Sequence, residues 1–180
     1  MASMAKRSKA SGTFLYILLI ILMIILDQIT KRAAAASLRG SDPYVIIENV
    51  LELLYVENRG AAFGMMNGMR GFFLLLAPTV SVVLLYLVHI IPRSRRYIPL
   101  SLCLSSIIAG AAGNFIDRLL YAYVVDFIYF MPIDFPVFNV ADIYVTCATI
   151  CLVILITFVY SDKELGEIAD QAKLLSVFRK

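Results

Sequence analysis

Tryptophan is absent from this chain, histidine occurs once, and only 16% of the residues are charged. Each shortage removes a class of function. With His89 as the sole histidine, no HExxH zinc site can be built. His89 also falls near the cytoplasmic end of an apolar block, which leaves no Ser–His dyad on the opposite, outer side. No GxSxG stretch occurs, and no glycine-rich phosphate-binding loop. The three cysteines, Cys103, Cys147 and Cys151, all lie in apolar blocks, so they imply no disulfide framework. Cys147 and Cys151 share a helix face, a spacing open to a metal or redox pair; small buried hydrophobes are the preferred reading. The net charge of +3 gives no reason to propose a nucleic-acid partner.

What the chain has in excess is apolar length. It is 61% hydrophobic with a mean hydropathy of +0.86, against about half apolar and about a quarter charged for a soluble domain. Residues 72–91, 97–116 and 143–160 hold no formal charge other than a protonated His89. Each block approaches the roughly 20 residues a helix needs to cross the hydrocarbon core. Residues 13–26 are uncharged but short. Lys6, Arg7 and Lys9 precede them and alanines at 33–36 follow, which imitates a secretory signal peptide. Asp27 and Lys31 would then lie between apolar region and cut, so an uncleaved first span running on to about residue 36 is preferred.

The expected fold is therefore an α-helical integral membrane protein with four spans, at about 13–36, 72–91, 97–117 and 139–160. Links 37–71 and 118–138 face outward, residues 1–160 form the membrane domain, and 161–180 form a cytoplasmic tail. Basic residues set the orientation. Lys6, Arg7 and Lys9 flank span one, Arg93, Arg95 and Arg96 fill the link between spans two and three, and the chain ends Arg179, Lys180. In link 37–71, Arg39, Arg59 and Arg70 are balanced by Asp42, Glu48, Glu52 and Glu57. Both termini are expected in the cytoplasm. The Val, Ile and Tyr content of "PYVIIENVLELLYVENRGAAFG", broken by Glu and Asn, predicts two or three short strands in a small extracytoplasmic sheet, and "NRGAAFG" a flexible turn before span two. The aromatic "LLYAYVVDFIYFMPIDFPVF" is expected to lie along the outer interface. In the tail, Leu165, Ile168, Ala169 and Ala172 share one face of a surface helix.

Ionisable residues within or beside a span are functional candidates, because burying them is unfavourable. Asp27, Asp117, Asp126 and Asp142 all fall at the outer ends of spans or in the outer interface, whereas Asp134 between two prolines reads as a solvated turn. Asp27 and Lys31 in "DQITK" meet on one helix face at i, i+4, and a local ion pair is their preferred role. In "GAAGNFIDR", Asn114 and Arg118 are the available partners of Asp117, and the small residues around Gly110 and Gly113 allow close helix approach. Asp126 and Asp142 have no cation within a helical turn in sequence. Asn139 is a candidate N-cap for the last span, placing Asp142 in its first turn, where the helix dipole favours the anion. Proximity of Asp126 and Asp142 would raise the proton affinity of one of them. One charged and one protonated carboxyl side by side is the aspartic-protease arrangement.

Five blocks in order, "DQITK", "NRGAAFG", "GAAGNFIDR", "VVDFI" and "FNVAD", on four spans, make the chain resemble the bacterial lipoprotein signal peptidases, the type II signal peptidases, from about residue 14 to 160. The resemblance implies an intramembrane aspartic endopeptidase of the bacterial inner membrane, working without metal or cofactor. Such enzymes remove signal peptides from prolipoproteins, cutting before a diacylglyceryl-modified cysteine. It assigns the catalytic pair to Asp126 and Asp142. Supporting roles go to Asp27, Lys31, Asn58, Gly60, Asn114, Arg118 and Asn139. It also implies an outer sheet, a flexible outer helix over the site at about 119–131, contact with membrane lipid, and inhibition by the cyclic peptide globomycin; a monomer is expected. Asn58 is further read as a group that could hold substrate backbone. Two rival functions remain. A proton-coupled transporter would place its acids near the midplane and often show repeated halves; a non-catalytic scaffold would use them only to fix helix packing.

Overall fold

The computed structural model describes residues 2–60 and 69–171, with side chains from residue 12 onward. Its elements run α1 (Ala2–Leu38), β1 (Tyr44–Ile47), β2 (Leu51–Asn58), α2 (Arg70–Ile90), α3 (Ile98–Tyr121), β3 (Val124–Phe130), α4 (Val140–Ile154) and α5 (Asp162–Gln171). Among the described residues, four helical stretches are long and apolar enough to cross a membrane: Gly12–Leu38, Arg70–Ile90, Arg95–Tyr121 and Val140–Val159. Half of the α3 stretch is buried, against 6–17% for the others. α3 is therefore the centre of the bundle, and α1, α2 and α4 pack around it.

Small residues let α3 approach α4 and α1 closely. A Cβ added at Gly110 would sit 2.5 Å from the Ala141 carbonyl oxygen and 2.6 Å from Val145 Cγ2. One at Gly113 would collide with the Asp27 carboxylate. Gly110→Ala is thus expected to force α3 and α4 apart, an overpacking cost of about 1–3 kcal/mol. A thermal melt in detergent should show Tm falling by roughly 5 °C. Gly166→Ala on α5, where nothing lies within 4 Å, should not lower it; equal melting of both variants would refute the close-approach role.

The three strands form one antiparallel sheet in the order β1-β2-β3. β1 and β2 are the strands expected from the first outer link, joined at Asn49, whose φ of 58° is the left-handed turn conformation that Asn tolerates. The third strand corrects an expectation. In place of an outer helix at 119–131, α3 runs on to Tyr121, ends at a left-handed Ala122 (φ 68°), and the chain enters β3. The reason is physical. "VVDFIYF" is β-branched and aromatic, which suits a pleated surface, and β2 offers it an edge to pair with, from Leu51↔Phe130 to Asn58↔Val124. This register sets Asp126 opposite Val56. After the prolines the backbone returns to the sheet, with Phe138 exchanging hydrogen bonds with Ile128, and delivers Asn139 to the start of α4.

The opposite end of the bundle is closed by other means. A π-helical turn at Leu155–Val159 ends α4, and Tyr97 and Tyr160 stack with ring centroids 5.6 Å apart. Ser161 and Glu164 form a reciprocal cap that starts α5, and Arg96 pairs with Glu164 at 2.9 Å. Ile168 is buried against this cluster, as the amphipathic reading of the tail anticipates; Ala172 lies outside the described residues. His89 is at this end, near Thr13 of α1. Of the cysteines only Cys103 is buried; Cys147 and Cys151 lie on the exposed face of α4, contrary to their reading as buried hydrophobes. In a helix with a lipid-facing side, an apolar residue need not face protein.

Candidate active site

The site begins with a buried cation. On α1, Asp27 and Lys31 stand one turn apart, 0% and 2% exposed. Lys31 Nζ lies 2.9 Å from Asp27 Oδ2, 3.0 Å from Asp117 Oδ2 on α3, and donates to Asn114 Oδ1 at 2.8 Å. An ammonium has three hydrogens, and all three are used. The remaining carboxylate capacity is also engaged: Asp27 Oδ1 accepts from the Ala141 backbone N–H, Asp117 Oδ1 from Gln28 Nε2, and Asp117 Oδ2 from the Val125 N–H. Burial of ions is tolerable only with such compensation. The cluster ties α1, α3, β3 and α4 into one unit.

This differs from the sequence reading in two respects. Asp117 takes Lys31 and Gln28 as its partners, whereas Asn114 and Arg118 were the nearest candidates in sequence. Gln28 joins the cluster without being a motif candidate, although an amide inside an apolar helix is itself a signal that something polar must face it.

Asn114 relays this anchoring outward. Lys31 can only donate, so it fixes Oδ1 toward itself and leaves Nδ2 to donate to Asp142 Oδ1 at 2.8 Å. Asn139 caps α4: its Oδ1 accepts from the Asp142 N–H, while Asp142 Oδ2 accepts from the Asn139 N–H, each at 3.1 Å. That reciprocal cap orients the Asn139 amide as well. Its Nδ2 then donates to Asp126 Oδ1 at 2.5 Å and to Asn114 Oδ1 at 3.2 Å. The second oxygen of Asp126 accepts from Asn58 Nδ2 at 2.8 Å, and Asn58 Oδ1 is occupied by the Gly60 N–H. Asn58 thus spends an amide hydrogen on Asp126. Arg118 reaches the other side of the same turn, donating to the Gly60 carbonyl at 2.8 Å, with its guanidinium 4.5 Å from the Phe73 ring centroid.

Two carboxyls from different elements, one on β3 and one in the first turn of α4, are therefore joined by Asn139, which bonds both, with Asn114 bridging Asn139 and Asp142. Asp126 is 2% exposed, and burial first, then the charge of Asp142, push its pKa up to about 7; Asn58, Asn139 and Lys31 pull the other way. Asp142 stands in the first turn of α4. Both acids face a cavity of about 680 Å³ with Asn58, Asn114 and Arg118 on its polar side, and α2, α3, α4 and the 135–138 segment supplying apolar walls. Asp27, Lys31 and Asn139 stand behind this lining, and Gly60 beneath it. The arrangement places two carboxyls beside a partly apolar cleft, and such groups can give and take protons.

The sequence profile of the family described as signal peptidase (SPase) II matches residues 19–158. The chain belongs to the signal peptidase II family. Among its relatives, the lipoprotein signal peptidase of Clostridium tetani is 42% identical over 143 residues, covering 78% of this chain and 90% of that one. The Latilactobacillus sakei lipoprotein signal peptidase is 41% identical over 142 residues, covering 79% and 93%. A bacterial membrane enzyme solved by the in meso method superposes with a TM-score of 0.70 at 33% identity, covering 81% of this chain and 94% of its own. As a signal peptidase II family member with four apolar helices, the protein is a multi-pass membrane peptidase.

Proposed function

We propose that this peptidase is an aspartic endopeptidase that removes signal peptides from prolipoproteins, cutting before a diacylglyceryl-modified cysteine. The observation that carries the reading is the pair Asp126 and Asp142 on one cavity wall, coupled through Asn114 and Asn139. In the proposed reaction the Asp142 carboxylate draws a proton from a water molecule as its oxygen attacks the scissile carbonyl. Protonated Asp126 donates to the carbonyl oxygen. Collapse of the tetrahedral intermediate breaks the C–N bond: the leaving amine takes its proton from Asp142, and a hydroxyl of the intermediate returns one to Asp126 as the C=O reforms. Asn58, Gly60, Asn114, Arg118 and Asn139 hold the two acids, and Asp27 with Lys31 anchors them. The acids gather at one end of the bundle, whereas a transporter relay needs them near its middle.

The remaining parts of the reading follow the charge pattern and the family. Residues 1–160 make up the peptidase domain, a monomer in the bacterial inner membrane, with both termini and the tail 161–180 in the cytoplasm. The site then lies at the outer face, at the depth of a diacylglyceryl cysteine and within reach of water. Cyclic peptides of the globomycin type would occupy the same cleft. The test is reconstitution in lipid with a diacylglyceryl prolipoprotein, with mass spectrometry of the products. A mature fragment beginning at the lipidated cysteine is expected; intact substrate after prolonged incubation refutes the assignment.

The proton affinity of Asp126 gives a further expected result. Its folded pKa, about 7, is above the usual carboxylate value, so the proton is held until pH rises through about 7. An acid needed in its protonated form then makes kcat/KM fall about tenfold per pH unit above that point. The same sign applies to stability: Asp126 contributes most below the ordinary carboxylate range and its contribution is lost as pH rises toward 7. A pH–rate profile flat from pH 6 to 9 would rule out this role.

A further inference from the structure

The cleft has a floor, α3, and two side walls, α2 and α4, which hardly touch each other among the described residues. The α2 wall is unevenly supported. Its buried residues, Val88 and Ile90, both lie at the end away from the sheet. The half nearer the sheet supplies Phe73, Leu76 and Ala77 to the cleft, and of its other residues only Leu74 is half-buried. Between the halves stands Pro78, which has no N–H for the Leu74 carbonyl and crowds it, so the helix is weakest there. The next residue adds to this: Thr79 Oγ1 donates to the Leu75 carbonyl at 2.7 Å, a bond that bends helices. At its start, Met69 makes no side-chain cap. What holds that end is Arg70, whose Nε and Nη2 donate to the Arg118 and Leu119 carbonyls at 2.8 and 3.0 Å. Both carbonyls lie in the last turn of α3, where a cation is favoured; that of Arg118 also accepts from the Ala122 N–H at 3.2 Å. The bonds are exposed, so water can replace them. Phe73 under the Arg118 guanidinium is the second point of attachment.

We propose that residues 70–77 form a hinged wall of the cleft, pivoting at Pro78 and latched by Arg70 to the end of α3. Swinging outward, this wall opens the cleft sideways to the hydrocarbon, and a membrane-anchored, acylated peptide enters between α2 and α4. What enters rests on the proposed function; the motion does not. Closure brings Phe73 back under Arg118, the residue that braces Gly60 and hence Asn58, so the wall reports its position to the site.

The motion is measurable without substrate. In a variant lacking the three cysteines, nitroxide labels at L75C on α2 and I150C on α4, both positions largely exposed, give distances by pulsed electron resonance in lipid nanodiscs. The expected distribution has a short and a long population. Arg70→Ala shifts it to the long one, Arg70→Lys restores part of the short one, and Pro78→Ala leaves a single narrow peak. A control pair, V82C with I150C, probes the far half of α2 and should stay narrow throughout. A single peak for the first pair in the unsubstituted background overturns the proposal, as does a distribution that neither substitution at Arg70 or Pro78 alters. Neither outcome depends on cleavage, so the proposed chemistry stands or falls separately.

Discussion

Asp126→Asn and Asp142→Asn are each expected to give a folded protein that cleaves prolipoprotein at least about 10³-fold more slowly, the scale of a lost general acid or base. Asn keeps the volume and the acceptor oxygen while removing ionisation, so the comparison isolates the proton. At position 142 the new side chain can still accept from the Asn139 N–H, so the cap of α4 survives, while its amide meets the Asn114 Nδ2 donor. At position 126 the amide meets two donors, Asn58 Nδ2 and Asn139 Nδ2. One of its contacts becomes donor against donor, at a cost of about 1–3 kcal/mol. Circular dichroism and a melting curve measured beside the kinetics separate loss of chemistry from loss of fold. Turnover at the parent rate in either variant removes that residue from the reaction.

Lys31→Met should have the largest effect on stability. It leaves Asp27 and Asp117 facing each other in a buried site, and breaking a buried pair by removing one partner costs about 3–5 kcal/mol. That is a large part of the roughly 5–15 kcal/mol available to a folded protein. The Asn114 amide also loses the shorter of the two bonds that orient it, which loosens its hydrogen bond to Asp142. Low yield, a strongly lowered Tm and poor turnover are expected together. Adding Asp27→Asn and Asp117→Asn should restore part of the Tm, because the unpaired charges then disappear; this non-additivity is the mark of a coupled cluster. A Lys31→Met protein that melts with the parent would mean the ammonium contributes nothing there.

Much of this architecture can be read in the sequence, and the limits have a common cause. The spans are visible because each is a long local run. The Asn139 cap and the Asp27–Lys31 pair are visible because their partners lie within one helical turn. β1 and β2 are visible from β-branched residues and breaks. β3 is not, since an aromatic-rich stretch suits an interfacial helix as well as a strand, and what decides is the edge of β2, remote in sequence. For the same reason Asp117 is assigned its neighbours, while its actual cation comes from another helix. Arg118, adjacent in the chain, turns to Gly60 and Phe73. The outer helix implied by the resemblance is absent at 119–131 because β2 claims that segment. The "NRGAAFG" turn falls mostly outside the described residues.

Asn139 does two things with one side chain: it starts α4 and it holds Asp126. One side chain therefore caps the last helix through Oδ1 and, once that helix is docked, bonds Asp126 through Nδ2. If the proposed pair is what cleaves, a nascent chain still entering the bilayer, its final segment undocked, carries its carboxyls apart and has no cutting power. On the proposed reading, the protease is armed by its own maturation, so the membrane is spared a half-built blade.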